Sequence, residues 1–307
     1  MNHEPGRVFQ GRTDLFEMSD LTRQNRAALH LNDYPSSDDL EEMMTDPQVL
    51  ANTRIWDDST GQMIAFALVD AFYNLCWEIR REQASSELES EIAAWAEQCS
   101  RRMAKLNREK ARVEASCREE DSERVSFLTA NGFQLQTEKT HTLILDLNEP
   151  LAAPKLPAGF SIRPVNGEAE AEELAAIHCK AFSSKFMTRD RRLAAMRSTE
   201  YRPELDLVVV SPDGRLAGTC TGVIHDGENE LTGVKTGSTD PLAVLPEFRK
   251  KGLAKALLLA CAAALKQDGM QYARCAFNGA NRAMLAAAKS AGYKVESTMV
   301  WFKKPLV

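Results

Sequence analysis

The second half of the chain alternates between strand-like and helical spacing of its apolar residues. FSIRPV (160–165) predicts a strand, and residues 167–182 predict a helix with Leu174, Ile177, His178 and Phe182 near one face. His178 on that face is expected to be packed rather than to bind a ligand. From Leu205 onward, LDLVVV and RLAGTCTGVI predict strands around the turn SPDG. A polar turn, HDGENE (225–230), and an extended run ending in TDPLAVL (239–245) follow. The Ala- and Leu-rich residues 252–269 predict a helix closed by Gly269, residues 271–277 a strand, and residues 281–292 a helix stopped by Gly292. This order predicts an α/β domain with a mixed sheet.

The same plan recurs earlier. SFLTANGFQLQTEKTHTLIL (126–145) and AAAKSAGYKVESTMVWFKK (286–304) each read as a short helix, a Gly-aromatic stop (Gly132-Phe133, Gly292-Tyr293) and an alternating strand. DDSTGQMIAFALV (57–69) and SPDGRLAGTCTGV (211–223) each read as a polar glycine turn and a strand. Both matches keep their order about half a chain apart, which predicts two copies of one fold. The prolines of LNEPLAAPKLPAG (147–159) forbid a continuous helix and mark the linker, so the expected division is residues 1–150 and 151–307. A chain of 307 residues is long enough for two cores.

Composition narrows the function. A net charge of −6 argues against nucleic acid or an anionic membrane as the main partner, and no apolar run reaches the ~20 residues of a membrane span. The seven cysteines are scattered without a C-x-x-C pair, which fits reduced thiols in a cytoplasm rather than a zinc site. Cys220 and Cys275 lie in strand-like runs and are expected to be small buried hydrophobes.

The chemistry concentrates in PEFRKKGLAK (246–255). A strand ends at Leu245 and a helix begins near Gly252. The N–H groups of that first turn lack helical acceptors, and the helix dipole adds positive potential. Gly252 and Ala254 allow a pyrophosphate to approach the backbone, with Arg249, Lys250, Lys251 and Lys255 as cations around it. At these residues the chain resembles the GNAT acyltransferase superfamily, whose loop reads Arg/Gln-x-x-Gly-x-Gly/Ala after Val-x-Pro. Here Val244-Leu245-Pro246 precedes Arg249-x-x-Gly252-x-Ala254. Asn281 and the closing Gly292-Tyr293 extend the resemblance, which spans roughly residues 160–304.

The resemblance implies two tandem GNAT-like α/β domains, each a mixed, mostly antiparallel sheet flanked by helices, and acetyl-CoA as cosubstrate. It implies that the fourth and fifth strands splay, that backbone groups of Leu242, Ala243 and Val244 follow the pantetheine arm, and that residues 249–255, Leu253 included, hold the phosphates. The Val244 N–H becomes the donor to the thioester carbonyl, and Asn281 reaches the cofactor from across the wedge. In relatives a Tyr four residues before the final glycine protonates the leaving thiolate. Here that position is Ala288, and the sequence does not rank Tyr272, Tyr293 and Cys275 as substitutes.

An amine acceptor, small molecule or protein, needs a base, for which Asp240 is the first candidate, Glu230 the second and His225 the third. Asp240 reads equally as a turn acceptor before Pro241. His225, Asp226, Glu228 and Glu230 form a solvated turn, and no metal is expected. The acidic stretches 36–42 and 225–230, with Asp240, suggest a cationic acceptor. In the first half, the loop after residues 74–79 has no glycine and carries Glu87, Glu89 and Glu91, which would repel a pyrophosphate. This copy is therefore read as degenerate, with Ile92, Ala96, Cys99 and Met103 as core, and residues 107–125 as a surface connection with an edge strand, a helix being the alternative. The competing function is a non-catalytic acyl-CoA sensor or scaffold.

Overall fold

The computed structural model describes residues 6–27, 35, 37–198 and 201–306. Ser36 and the side chains of Asp38 and Glu228, named above, lie outside the described residues. Two compact units form: Met1–Lys139 with Met299–Val307, and Thr140–Thr298.

The first unit contains β1 (Arg7–Val8), α1 (Arg12–Ala27), α2 (Ser37–Met43), α3 (Pro47–Ala51), β2 (Thr53–Asp57), β3 (Met63–Val69) and β4 (Leu75–Ile79). There follow α4 (Ser86–Asn107), β5 (Arg112–Arg118), α5 (Ser122–Ala130) and the start of β6 (Gln134–Asp146). Strands β1, β2, β3 and β4 pair antiparallel in that order. The polar turn before β3 is held by Asp58, whose Oδ1 accepts from the Thr60 and Gln62 N–H groups at 2.8 and 3.1 Å. β3 is apolar throughout because both sheet faces are covered. Ile64, Ala65, Ala67 and Val69 join a core with α4, whereas Met63, Phe66 and Leu68 pack with Met18, Leu21 and Leu40. The stripe Ile92, Ala96, Cys99 and Met103 is buried as expected. Residues 107–125 contain the expected edge strand, β5, which lies at the end of its sheet, and the start of a helix. β5 sends Val113, Ala115 and Cys117 into the core on alternate positions, and α5 starts at Ser122. The intervening charges belong to the outward positions of that alternation.

The second unit comprises the end of β6, β7 (Ser161–Pro164), α6 (Ala171–Phe182), α7 (Arg189–Met196), β8 (Asp206–Val210), β9 (Leu216–Ile224), α8 (Asp226–Thr232) and β10 (Thr236–Val244). It continues with α9 (Leu253–Gln267), β11 (Tyr272–Asn278), α10 (Arg282–Ser290) and the start of β12 (Lys294–Pro305). Its strands run β6, β11, β10, β9, β8, β7 across the sheet, antiparallel except for β10 with β11. HDGENE is not a hairpin turn. Most of it forms α8, closed where Gly233 takes φ 67° and donates to the Asn229 carbonyl at 3.0 Å. On α6, Leu174 and Ile177 are buried, His178 is half-buried, and Phe182 is exposed and rests against the His178 ring at 4.7 Å. The segment after α6, for which the sequence showed no pattern, contains α7. It is tied down by the buried Asp206 carboxylate, which accepts from Arg192, from the Tyr201 hydroxyl at 2.7 Å and from the Thr221 hydroxyl at 3.0 Å.

The units part within β6, not in the proline stretch. Residues 140–146 of β6 pair with β11 in the second unit, whereas residues 299–305 of β12 pair with β5 in the first. Strand pairing between residues far apart in sequence sets this boundary, and a linker pattern carries no record of it.

Candidate active site

β10 and β11 are hydrogen-bonded partners only at Thr236–Ser238, opposite Tyr272–Arg274, and the pairing stops there. At the split the Thr239 hydroxyl donates to the Arg274 carbonyl at 3.1 Å, so the Tyr293 phenol, 3.3 Å away, donates to Thr239. The opposite edge of β10 stays paired with β9 through Leu242, Ala243 and Val244. The approach is close: a Cβ on Gly218 would lie 2.5 Å from the Ala243 carbonyl oxygen. Leu245 N–H donates to the Ala217 carbonyl at 3.0 Å. Bonded positions alternate along an antiparallel ladder. The backbone groups of Leu242 and Val244 therefore point away from β9 toward the side that β11 has left, while those of Ala243 face β9.

After Leu245 the chain makes a tight turn, Pro246–Phe248, and enters α9 through two residues in the left-handed region, Lys250 at φ 62° and Gly252 at φ 81°. Nothing surrounds Gly252 within 4 Å of an added Cβ, so its conformation, not crowding, calls for glycine. No side chain caps α9 and its first turn holds no acid. Its leading N–H groups and dipole are thus available to an anion. Leu253 is buried and anchors the turn, Ala254 and Lys255 are half-buried, and Lys250 and Lys251 are exposed. Lys251 lies over the rings of Phe160 and Phe248 at 5.7 and 5.6 Å. Arg249 is committed elsewhere. Its Nε donates to the Val244 carbonyl at 3.2 Å and its Nη2 to the Ala181 carbonyl at 3.0 Å, so it braces the loop against β10 and the end of α6. Asn281 caps α10 by accepting from the Met284 N–H at 3.1 Å.

Asp240 follows the split directly. Its side chain keeps solvent access, yet the protein around it desolvates the carboxyl and pushes it up to about 6. Glu230 is exposed on α8, and His225 is half-buried just before that helix. Of the groups considered for the leaving thiolate, Tyr293 is buried with its proton held by Thr239, and burial pushes the Cys275 thiol up to about 12. Tyr272 sits at the closed end of the strand pair. Ala288 is fully buried in the core, where a tyrosine ring has no room. Sequence reasoning missed Thr239 and Gly218. Both are small residues inside apolar runs, and their roles exist only once β9, β10 and β11 are side by side.

Among the described residues, no group of three or more His, Cys, Asp or Glu side chains is placed to hold a metal ion, and no helix is long and apolar enough to cross a membrane.

One parallel strand pair that opens beside an uncapped helix started by glycine is the feature that the comparisons with known proteins bear on. Residues 171–293, within the second unit, match the family model for the acetyltransferase (GNAT) family. A GCN5-related N-acetyltransferase from Sphaerobacter thermophilus has the same fold, with a TM-score of 0.76 at 19% identity over 97% of this chain and 94% of that one. A tandem GNAT protein from the clavulanic acid biosynthesis pathway gives 0.72 at 16% identity, over 98% and 97% of the two chains. A GNAT-family acetyltransferase from Colwellia psychrerythraea gives 0.66 at 14%, over 97% and 98%. No curated protein matches the chain. The fold is that of tandem GNAT proteins.

Proposed function

We propose that the protein is an acetyl-CoA-dependent N-acyltransferase whose cofactor binds the second unit alone. The observation that carries this reading is the pair of backbone positions Leu242 and Val244 facing the open side of β10, next to the uncapped start of α9. In the proposed complex the first turn of α9, with Lys250, Lys251 and Lys255, holds the pyrophosphate, and Leu242 and Val244 pair with the pantetheine arm. The Val244 N–H donates to the thioester oxygen, where negative charge grows as the amine attacks the carbonyl carbon. The tetrahedral intermediate then expels the CoA thiolate, with no covalent intermediate on the enzyme. Asp240 takes the ammonium proton, directly or through water, and a carboxyl raised to about 6 is well matched to that task near neutral pH. The thiolate leaves without a positioned tyrosine, since position 288 is a buried alanine. The acceptor is proposed to be a cationic amine, and the first unit to have lost cofactor binding.

Calorimetry on the intact protein should give saturable acetyl-CoA binding that Gly252→Asp weakens at least tenfold, because the variant strains the loop and brings a carboxylate to the pyrophosphate. Equal affinity in the variant would overturn the site. Thiol release with a panel of amines then separates an enzyme from an acyl-CoA sensor, which would bind acetyl-CoA and turn over none of them.

A further inference from the structure

The first unit has an opening of its own. Among the described residues, β4 and the parallel β5 touch at a single bridge, Asn74 with Glu114, and diverge beyond it. Beyond the bridge, between the ends of these strands and the starts of α4 and α5, lies a cleft of about 980 Å³. That volume is in the range of small-molecule sites. The cleft differs from the α9 site in two features that select an anion. The turn leading to α4 contains no glycine, and the helix is already capped, with Ser85 Oγ accepting from the Leu88 N–H at 3.3 Å.

The lining holds five carboxylates against three guanidiniums. Most of these charges are paired. Arg124, lying over the Trp77 ring, meets Glu78 at 2.8 Å and Asp121 at 3.7 Å, and Arg118 meets Glu120 at 3.6 Å. Glu91, on the same helix, is occupied outside the cleft, accepting from the Trp56 indole at 2.9 Å. Two carboxylates in the cleft, Glu89 in the first turn of α4 and Glu123 in the first turn of α5, have no ion pair among the described residues. Against them stands Arg81, exposed on the rim. Burial, and then the charge of Glu123, hold the Glu89 carboxyl above its usual range, so the two acids repel each other with neither ion-paired among the described residues. The absence of any three-ligand metal group among the described residues favours an organic cation over a coordinated metal.

We infer that the cleft between β4 and β5 binds a small organic cation, an alkylammonium or guanidinium compound, held by Glu89 and Glu123. The inference stands on the first unit alone and is independent of the acetyl-CoA reading. A cation here would neutralise both carboxylates and let Glu89 ionise fully in its desolvated position.

Titration of the full-length protein with spermidine and with agmatine, followed by calorimetry at low and high salt, tests it. At least one should bind saturably. Its affinity should fall at least tenfold in the isosteric double variant Glu89→Gln/Glu123→Gln, fall less in Glu123→Gln, and weaken with salt. Unchanged circular dichroism in the variants keeps the reading clean. Affinity that survives the double variant, disappears only in Asp240→Asn, or is found for Mg²⁺ and not for either amine overturns it. Loss of acetyl-CoA binding in Gly252→Asp with retained amine binding leaves the inference standing and tests the other site separately.

Discussion

Helices α4 and α9 both begin beside an opening between two parallel strands, yet their first turns suit opposite charges. α9 enters through a left-handed glycine, with no cap, no acid and lysines alongside. α4 enters through a serine cap and carries Glu87 and Glu89 in its first turn. The opening recurs in both units, while the charge at the helix beside it is set by a few residues at the helix start. A second contrast runs the other way. Four residues before each Gly-aromatic pair stand Leu128 and Ala288, and both are fully buried. Here the two units agree with each other, and neither carries a tyrosine at that position.

The largest expected effect tests the catalytic half of the comparison. Asp240→Asn should lower kcat/KM about 10²- to 10⁴-fold, the usual worth of a positioned base. In the native protein kcat/KM should rise with pH through about 6 as the carboxyl ionises, and the variant should lose that limb. A pH–rate profile with the same limb in both proteins would remove Asp240 from the mechanism.

Restoring the missing aromatic ring bears on the second contrast. Ala288→Tyr should destabilise the protein by about 1–3 kcal/mol through overpacking, seen as a lower Tm, and should not raise kcat, because position 288 faces the core. A gain in kcat without loss of stability would mean that the position opens toward the cofactor.

The smallest effect concerns the caps. Ser85→Ala should cost about 1 kcal/mol, measured by denaturant unfolding, since it frees the Leu88 N–H that the serine now satisfies. α9, with no side-chain cap to lose, should be stabilised instead by acetyl-CoA, by an amount that rises with the logarithm of ligand concentration above Kd. If Ser85→Ala is neutral, the two helix starts differ less than their geometry indicates.

Much of this molecule could be read along the chain. The strands around SPDG, the helices closed by Gly269 and Gly292, and the Arg249–Gly252–Ala254 loop rest on local preferences: alternation, a left-handed stop, a helix start without a cap. The duplicated plan was also legible, because repeated patterns need no partner to be recognised. HDGENE misled because a short helix ended by Gly233 and a polar turn share the same composition. α7 was invisible because its anchor, Asp206, is reached only through Arg192, Tyr201 and Thr221 from different elements.

By itself, then, the sequence determined the strands around SPDG, the helices closed by Gly269 and Gly292, the glycine-led start of α9 and the acidic start of α4, all of which depend on neighbours a few residues away. Only the tertiary structure decided that β6 and β12 each cross from one unit to the other, and that Arg249 braces the loop through two backbone carbonyls. It also decided that Leu242 and Val244, not Ala243, face the opening. These depend on which strand lies beside which and in what register, and a one-residue change of register reverses every backbone direction that the site uses.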